Sequence, residues 1–462
     1  MHWKLTLCLL FFAFFGVTGL KAQTTDDLLK LLTGKGVLTA EEADSLRAEA
    51  AIARQNGLPQ NHFTLSMEYR PRTELRYGYQ QLPADTSVAA FLVGQRTRLS
   101  LAYDYSNRLS LAFSMQDLRI WGSQNPKSMS GTVQVFEAWV EPRITPEWSV
   151  RVGRQKLSYD NQRLFAENNW RIGGNVHDAA LLKYQGAKLV VHFAGAFNQS
   201  ADNAFGTDFA PSGFTNYKSL VMNYIKYSVN DRLSLTAINV ADGWQDETNV
   251  EKIHQRFTSG GRIEYLKGSF QAGAGAWYQY GHNTKGVDLA AWYVNPEVRY
   301  TLGDWQCRAG AELFSGNKPG ETDTDKSFSP LYGSGHNFNG SLDLITKFPG
   351  DVGGAGLVNP YLNITWKVSK TFSVRTDVHG FWLQNDYVKN KVTYDRWIGV
   401  ENDWLVNFKP NSYTGLDLGI SYASVSETFE VIKKAQSGAH NRMPYFVYFA
   451  LTIKPALLNS KW

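Results

Sequence analysis

The chain has 462 residues, 47 of them basic and 42 acidic, for a net charge of +5. That near-balance does not point to nucleic acid or to an anionic surface as a partner, and two cysteines are too few for an oxidative framework. The mean hydropathy is −0.33, and no segment beyond the N-terminus offers the ~18 uncharged apolar residues that a spanning helix needs.

The N-terminus reads as a secretory signal over residues 1–22. Lys4 is the basic n-region, Leu5 to Leu20 the apolar core, and cleavage is expected after Ala22. Cys8 lies in the apolar run without a lipobox. Losing Lys4 and Lys21 with the signal takes the charge from +5 to +3 and leaves Cys307 alone, so no intramolecular disulfide is expected.

Residues 23–60 read as a periplasmic helical hairpin. Asp26, Asp27 and a leucine stripe start the first helix, and Gly36 can end it. Thr39-x-x-Glu42 is a capping box for the second, which carries Ala43, Leu46, Ala50 and Ile52 on one stripe. A unit this small buries too little to stand alone. Self-association through 23–60 or packing on the rest of the chain is one expectation, and a loose tether is the other.

From Phe63 to Tyr77 the pattern changes to strict alternation. Thr64, Ser66, Glu68, Arg70, Arg72, Glu74 and Arg76 share one parity, and Phe63, Leu65, Met67, Tyr69, Leu75 and Tyr77 the other. A period of two is a strand with two different faces. Its length exceeds the ~5–6 residues of an ordinary strand and suits the ~9–11 of a strand crossing a bilayer. Thr97, Leu99, Leu101 and Tyr103 repeat the pattern against Arg96, Arg98, Ser100 and Asp104. Tight turns at Ser106-Asn107, Gln185-Gly186, Asn230-Asp231, Lys267-Gly268, Gly303-Asp304, Ser369-Lys370 and Lys409-Pro410-Asn411 alternate with long polar connections. The long ones lie near 78–90, 122–131, 157–176, 198–217, 242–255, 316–335, 384–396 and 425–442. Short turns on one side and long loops on the other mark an all-β transmembrane antiparallel barrel over residues 61–462, in the outer membrane of a Gram-negative bacterium. Aromatic residues, 14% of the chain, suit girdles at its two interfaces. An even strand number demotes 336–346 to loop or constriction material, leaving about 18 strands with 16 as the runner-up. The last strand is expected over Pro444–Lys454, and Pro455 interrupts the chain before a terminal Trp462.

If the apolar parity meets lipid, the polar parity lines water. That face collects Glu68, Arg70, Arg72, Glu74 and Arg76, and further on Arg96, Arg98, Asp104, Asp117, Arg119, Glu137, Glu141 and Arg151. Glu297, Arg299, Arg308, Glu312, Arg375, Asp377, Glu401 and Asp403 continue it. So many ions exclude a dry core, because desolvation costs several kcal/mol for each. Cys307 falls on the lipid parity with Trp305, Ala309 and Leu313, as a small hydrophobe. Some arginines brace the wall through carboxylates, and unpaired ones are free to meet an anion.

The densest basic stretch runs Gly153-Arg154-Gln155-Lys156-Leu157-Ser158-Tyr159-Asp160-Asn161-Gln162-Arg163-Leu164, followed by Trp170-Arg171 and Asp178-Ala179. Together with Glu68-x-Arg70-x-Arg72, Phe136-Glu137-Ala138-Trp139 and Leu331-Tyr332-Gly333-Ser334-Gly335-His336-Asn337-Phe338-Asn339-Gly340, it resembles the alginate-export family of outer-membrane barrels. The resemblance implies a channel for anionic saccharides or related anionic solutes, not an enzyme. It also implies an arginine-lined constriction drawn from Arg70, Arg72, Arg96, Arg98, Arg151, Arg154, Lys156, Arg163 and Arg171. Expected partners are outer-membrane lipid, the solute and the barrel-assembly machinery. No cofactor is expected. The alternatives are a barrel hydrolase, for which His177, His192, His336 and His379 lie in no recognisable nucleophile motif, and a structural or adhesive barrel. Glu321, Asp323 and Asp325 could hold calcium, but a solvated acidic loop is the simpler reading.

Overall fold

The computed structural model describes residues 61–124, 132–209 and 217–462, and Thr33, Thr39, Glu42–Asp44 and Leu46 before them. The chain divides into a unit over Met1–Gln60 and a unit over Asn61–Trp462. In the first, the capping box is formed: the Thr39 amide donates to Glu42 Oε2 at 2.8 Å and the Glu42 amide to Thr39 Oγ1 at 3.2 Å. The expected signal and the rest of the hairpin lie outside the described residues.

The second unit is a closed antiparallel barrel of eighteen strands. Strands β1 (His62–Tyr77), β2 (Ala90–Tyr105) and β3 (Leu109–Ile120) are long. Strands β4 (Val133–Pro142), β5 (Trp148–Gln155), β6 (His177–Gln185) and β7 (Leu189–Phe197) are shorter. There follow β8 (Ser219–Asn230), β9 (Leu233–Gln245), β10 (Ile253–Lys267), β11 (Phe270–His282), β12 (Asp288–Leu302) and β13 (Trp305–Phe314). After a long loop come β14 (Leu357–Lys367), β15 (Phe372–Leu383), β16 (Trp397–Phe408), β17 (Thr414–Val425) and β18 (Tyr445–Ile453). Residues 336–346 form no strand, which gives the even number expected.

Each strand pairs with the next, and β18 returns to β1 from Tyr77↔Tyr445 to Tyr69↔Ile453. Pro455 then breaks the ladder, as its missing amide requires. The chain nevertheless resumes as Ala456–Lys461 against His62–Ser66, with a bulge between Leu65 and Ser66. The seam therefore closes with a two-part final strand, longer than the Pro444–Lys454 expected. Trp462 ends it, stacked 6.2 Å from Tyr103.

The two faces follow the alternation. On β17, Ile420 is 41% exposed on the outside, whereas Ser421 is 1% exposed on the inside. Cys307 is exposed, on the outward parity. Trp305 and Trp366 stack at 5.4 Å near the short turns, and Trp382 meets Trp397 at 4.5 Å near the long loops, as amphipathic rings do at membrane interfaces. One bulge matters for the interior. The β3–β4 register slips between Ser114 and Met115, and Phe136 is buried while Val135 stays on the outside.

Two extracellular loops fold into the barrel. Loop III (156–176) and loop VII (315–356) join each other through a parallel bridge between Phe165 and Tyr332. The Tyr332 amide donates to Leu164 O at 2.7 Å and the Ala166 amide to Tyr332 O at 3.1 Å. A short helix, Glu427–Lys433, stands in the last long loop, its Ser426 cap accepting from the Phe429 amide. The 425–442 stretch had read as a polar connection only.

Parity sets the cost of a misplaced charge. Ile420→Arg, mid-strand on the lipid face, should destabilise the barrel by ~2–4 kcal/mol. Gln271→Glu, on the water face of β11 opposite Arg299, should stay within ~0.5 kcal/mol. Equilibrium urea unfolding in lipid vesicles reads both.

Candidate functional site

The site begins with the inward parity of β1 and β2. Their register sets Glu68 against Arg98, Arg70 against Arg96 and Arg72 against Gly94. Glu68 pairs with Arg96, and Glu74 with Arg72 at 2.6 Å. Arg70 and Arg98 make no carboxylate pair among the described residues. All four guanidiniums turn instead to loop III. Arg70 donates to Asn169 O (2.7 Å) and Arg171 O (3.1 Å), Arg72 to Trp170 O (2.8 Å), Arg96 to Ile172 O (3.2 Å) and Arg98 to Gly173 O (3.2 Å). Arg96 also reaches Asn169 Oδ1 at 2.7 Å, and Arg98 reaches Gln116 Oε1 at 2.6 Å. The arginines expected to face solute are thus bonded to the main chain of a loop.

Loop III is held from its other side by loop VII. The Trp170 indole stacks on His336 with centroids 3.8 Å apart and planes 5° from parallel, and the Arg72 guanidinium lies 4.0 Å over the same ring. His336 Nδ1 is 2.8 Å from Asp343, and Tyr79 donates to the same carboxylate. Loop VII is in turn seated on β16: the Leu342 amide donates to Glu401 Oε1 at 2.7 Å, and the Ser341 amide to Asp403.

The space left open on the short-turn side is a cavity of about 540 Å³ bounded by loops III and VII and by β14–β18. Arg70, Arg308 and Arg375 line it together with Asp377, Asp403 and Tyr361. Arg308 pairs with Glu297 at 2.6 Å and Arg375 with Asp377 at 2.8 Å, while Arg375 keeps 44% of its side chain exposed. A second cavity of about 720 Å³ lies under β7–β12 and carries Lys188, Lys226, Arg232, Arg262 and Arg299 against Asp231, Glu264 and Glu297. On the extracellular side, Arg171, Asp343 and Thr346 edge a pocket of about 110 Å³. Trp170 and His336 line both this pocket and the 540 Å³ cavity, so their stack stands between the two.

The remaining expected residues separate. Arg151 faces the lumen, paired with Glu141 at 2.5 Å and lying 3.8 Å over Trp139. Lys156 reaches Glu137 at 3.1 Å and Glu167 at 3.6 Å. Arg171 is exposed and makes no side-chain ion pair among the described residues.

Two expectations are corrected. Arg163 does not line a path: it is 1% exposed, paired with Glu312 at 2.6 Å, bonded to Ser334 O and Asn339 Oδ1, and 4.9 Å from both the Phe314 and Phe338 rings. Its role is to pin loop III to β13 and loop VII. Arg154 does not face the lumen either. On β5 the inward parity is Ser149, Arg151, Gly153 and Gln155, so Arg154 points outward with Val152 and forks onto Asp178 at 2.9 and 2.8 Å.

Four residues central to the site fall outside the expected set. Alternation puts Arg308 and Arg375 on the water face but does not distinguish them from the other arginines there. Trp170 reads in the sequence only as a family mark, although its step from Arg171 puts an aromatic beside a cation. Arg262, bonded to Glu264 and Glu297, sits mid-strand on β10 next to Gly260-Gly261, where alternation is hardest to read.

The histidines meet structural partners. His177 lies 2.9 Å from Tyr217 Oη, His192 3.2 Å from Tyr159 Oη and His379 3.2 Å from Asn359 Oδ1. In loop VII, Asp325 accepts from Asn283, Asn317 and the Ser327 amide, and Glu321 pairs with Lys326. Those oxygens are committed to protein donors rather than arranged around a cation.

Residues 62–437 match the family profile described as alginate export. The chain belongs to the alginate export family. A comparison with curated proteins finds no match. Among solved structures, Pseudomonas aeruginosa OccK3 (OpdO) aligns with a TM-score of 0.56 at 14% identity, covering 86% of this chain and 96% of that one. Acinetobacter baumannii OccAB1 gives 0.57 at 14%, covering 86% and 97%. Pseudomonas aeruginosa OpdK with vanillate gives 0.55 at 10%, covering 87% and 99%. At these identities the likeness is one of fold. Family and fold together make this alginate export family member an outer-membrane channel of the porin type for small solutes, in a Gram-negative outer membrane.

The Arg163–Glu312 pair is fully buried, so removing one partner leaves an uncompensated charge. Glu312→Gln should cost ~3–5 kcal/mol, and Arg163→Met with Glu312→Leu should recover most of it. Thermal unfolding in detergent, with and without protease to sample loop III, measures both variants.

Asp343 gives a pH dependence. Burial works to raise its carboxyl, but His336 and the Tyr79 hydroxyl outweigh burial and hold it below the ordinary carboxylate range. A depressed folded-state pKa contributes stability that is present above the unfolded value and lost as pH falls through the folded one. Acidification below about pH 4 should therefore raise the rate of proteolytic nicking in loop VII. Asp343→Asn should flatten that rise.

Proposed function

We propose that this channel passes acidic saccharides and related small or oligomeric anions, through a constriction between loops III and VII and the β14–β18 wall. The observation that carries the reading is the 540 Å³ cavity, whose open space is lined by Arg70, Arg308 and Arg375 together with Asp377 and Asp403. Guanidiniums fork onto carboxylates, and the facing carboxylates accept from sugar hydroxyls. A neutral sugar would use only half of that lining, and a simple inorganic anion only the other half. Family membership supports the same class of solute. One structural neighbour was solved with vanillate, itself a carboxylate.

The basic lining of the 720 Å³ cavity continues the path toward the short-turn side, since Arg308 and Arg262 both bind Glu297. Arg171 marks the extracellular approach. We further infer that residues 1–22 are a cleaved signal and 23–60 a periplasmic helical hairpin able to self-associate. The assembly machinery would read the final strand ending in Trp462.

Planar-bilayer recordings test the reading. The wild-type reversal potential under a salt gradient should report anion preference. Arg375→Gln with Arg171→Gln should cut that preference about two- to threefold, as loss of pore-lining cations does. Cation preference in the wild type, or an unchanged potential in the double variant, would sink the constriction as drawn.

A further inference from the structure

The wall under loop III is hard to explain as a brace. Arg70 and Arg96 face one another directly across β1 and β2, and Arg72 faces only Gly94. Like charges directly opposite destabilise a sheet. For four guanidiniums the wall offers only the carboxylates of Glu68, which pairs with Arg96, and Glu74, which pairs with Arg72 and serves Arg76 as well. Arg70 and Arg98 are left with neutral acceptors only. A buried wall built for stability would pair them with acids or replace them with apolar residues.

What satisfies the donors of this track is a row of peptide oxygens. The carbonyls of residues 169–173, with the Asn169 side chain, offer acceptors in the spacing that the guanidiniums demand. The Gly94 position makes room for them: a Cβ there would come within 2.6 Å of Ile172 Cδ1.

The segment is also a closed unit. Its base is closed by the Asn175 amide donating to Glu167 O at 2.8 Å and by the Asn175 side chain donating to Ala166 O at 3.2 Å. Just inside that base stand two left-handed residues, Asn168 (φ 45°) and Gly174 (φ 76°), with Gly173 beside the second. Backbone rotation at these two points would carry 169–173 without breaking the bonds at the base.

We propose that residues 169–173 are a displaceable strap. Their carbonyls stand in for the carboxylate oxygens of an acidic saccharide, which takes over Arg70, Arg72, Arg96 and Arg98 when the strap lifts. The inference rests on the anionic-saccharide reading above and adds the place where that solute is held. Charge drives the exchange, because a carboxylate is a stronger acceptor for guanidinium than a neutral carbonyl. The strap's grip on loop VII, through the Trp170–His336 stack, opposes it.

The test is block of single-channel current by oligogalacturonate. Replacing residues 169–173 with Gly-Gly should lower the half-blocking concentration about tenfold, with block by a neutral maltooligosaccharide unchanged. Adding Arg70→Gln and Arg98→Gln to the strapless barrel should abolish the gain. Trp170→Ala, which only loosens the strap, should give a smaller gain of the same sign and serves if the deletion does not fold. Oligogalacturonate block unchanged in the strapless and Trp170→Ala barrels overturns the proposal. So does an equal gain for the neutral sugar, which would make the segment a steric plug. Wild-type protein that inserts but carries no current would overturn the channel reading itself, before any variant is compared.

Discussion

A guanidinium taken out of bulk water has to be given acceptors, and this barrel's interior is organised by that requirement. Arg is always charged, so neutralising itself is not open to it. Glu68, Glu74, Glu141, Glu297 and Glu312 answer part of the demand through side-chain pairs. The rest is answered by main chain, and that draws loop III across the β1–β2 wall. Once loop III is in place, Arg163 fixes it to Glu312 and Trp170 fixes it to loop VII. The position of loop III is therefore a consequence of how the wall's cations are satisfied.

Loop VII shows the converse arrangement. There the wall supplies acids, and the loop supplies amides: Glu401 and Asp403 accept from Leu342 and Ser341. Gly340, at φ 84°, lets the backbone approach Glu401 so closely that a side chain would strike the carboxylate. A basic wall at β1–β2 thus holds carbonyls, and an acidic one at β16 holds amides. In the proposed reading, a solute carrying both carboxylates and hydroxyls is matched by the arginines and acids that line the remaining cavity together.

Much of this was legible in the sequence because a strand's period is a whole number. Glu68 through Arg76 declared their face without reference to any other strand, and turn chemistry at pairs such as Lys267-Gly268 set the strand ends. The even-number rule correctly turned 336–346 into loop. Legibility failed where alternation shifts or stops. The bulge at Ser114 buries Phe136 against the parity of its neighbours. Arg154 sits one residue from Gly153, so its face hangs on a single step of register. Pro455 looked like the end of the wall, yet Ala456–Lys461 still finds β1, because an edge of five residues cannot be left unpaired in lipid.

The larger failure concerns contacts between segments far apart in the chain. Alternation can say that Arg70 and Arg98 face inward, but not that residues 169–173 will lie on them. Nor does it say that Arg163 will be sealed behind Phe314 and Phe338. Facing the lumen and meeting the solute are different properties, and only the acceptor inventory separates them. Arg151 and Arg163 have carboxylates of their own and brace the wall. Arg70 and Arg98 have only neutral oxygens and keep unspent electrostatic demand. The near-zero net charge of the chain is thus a poor guide to selectivity, because paired charges cancel in the sum while the few unpaired ones set the field that a passing anion meets.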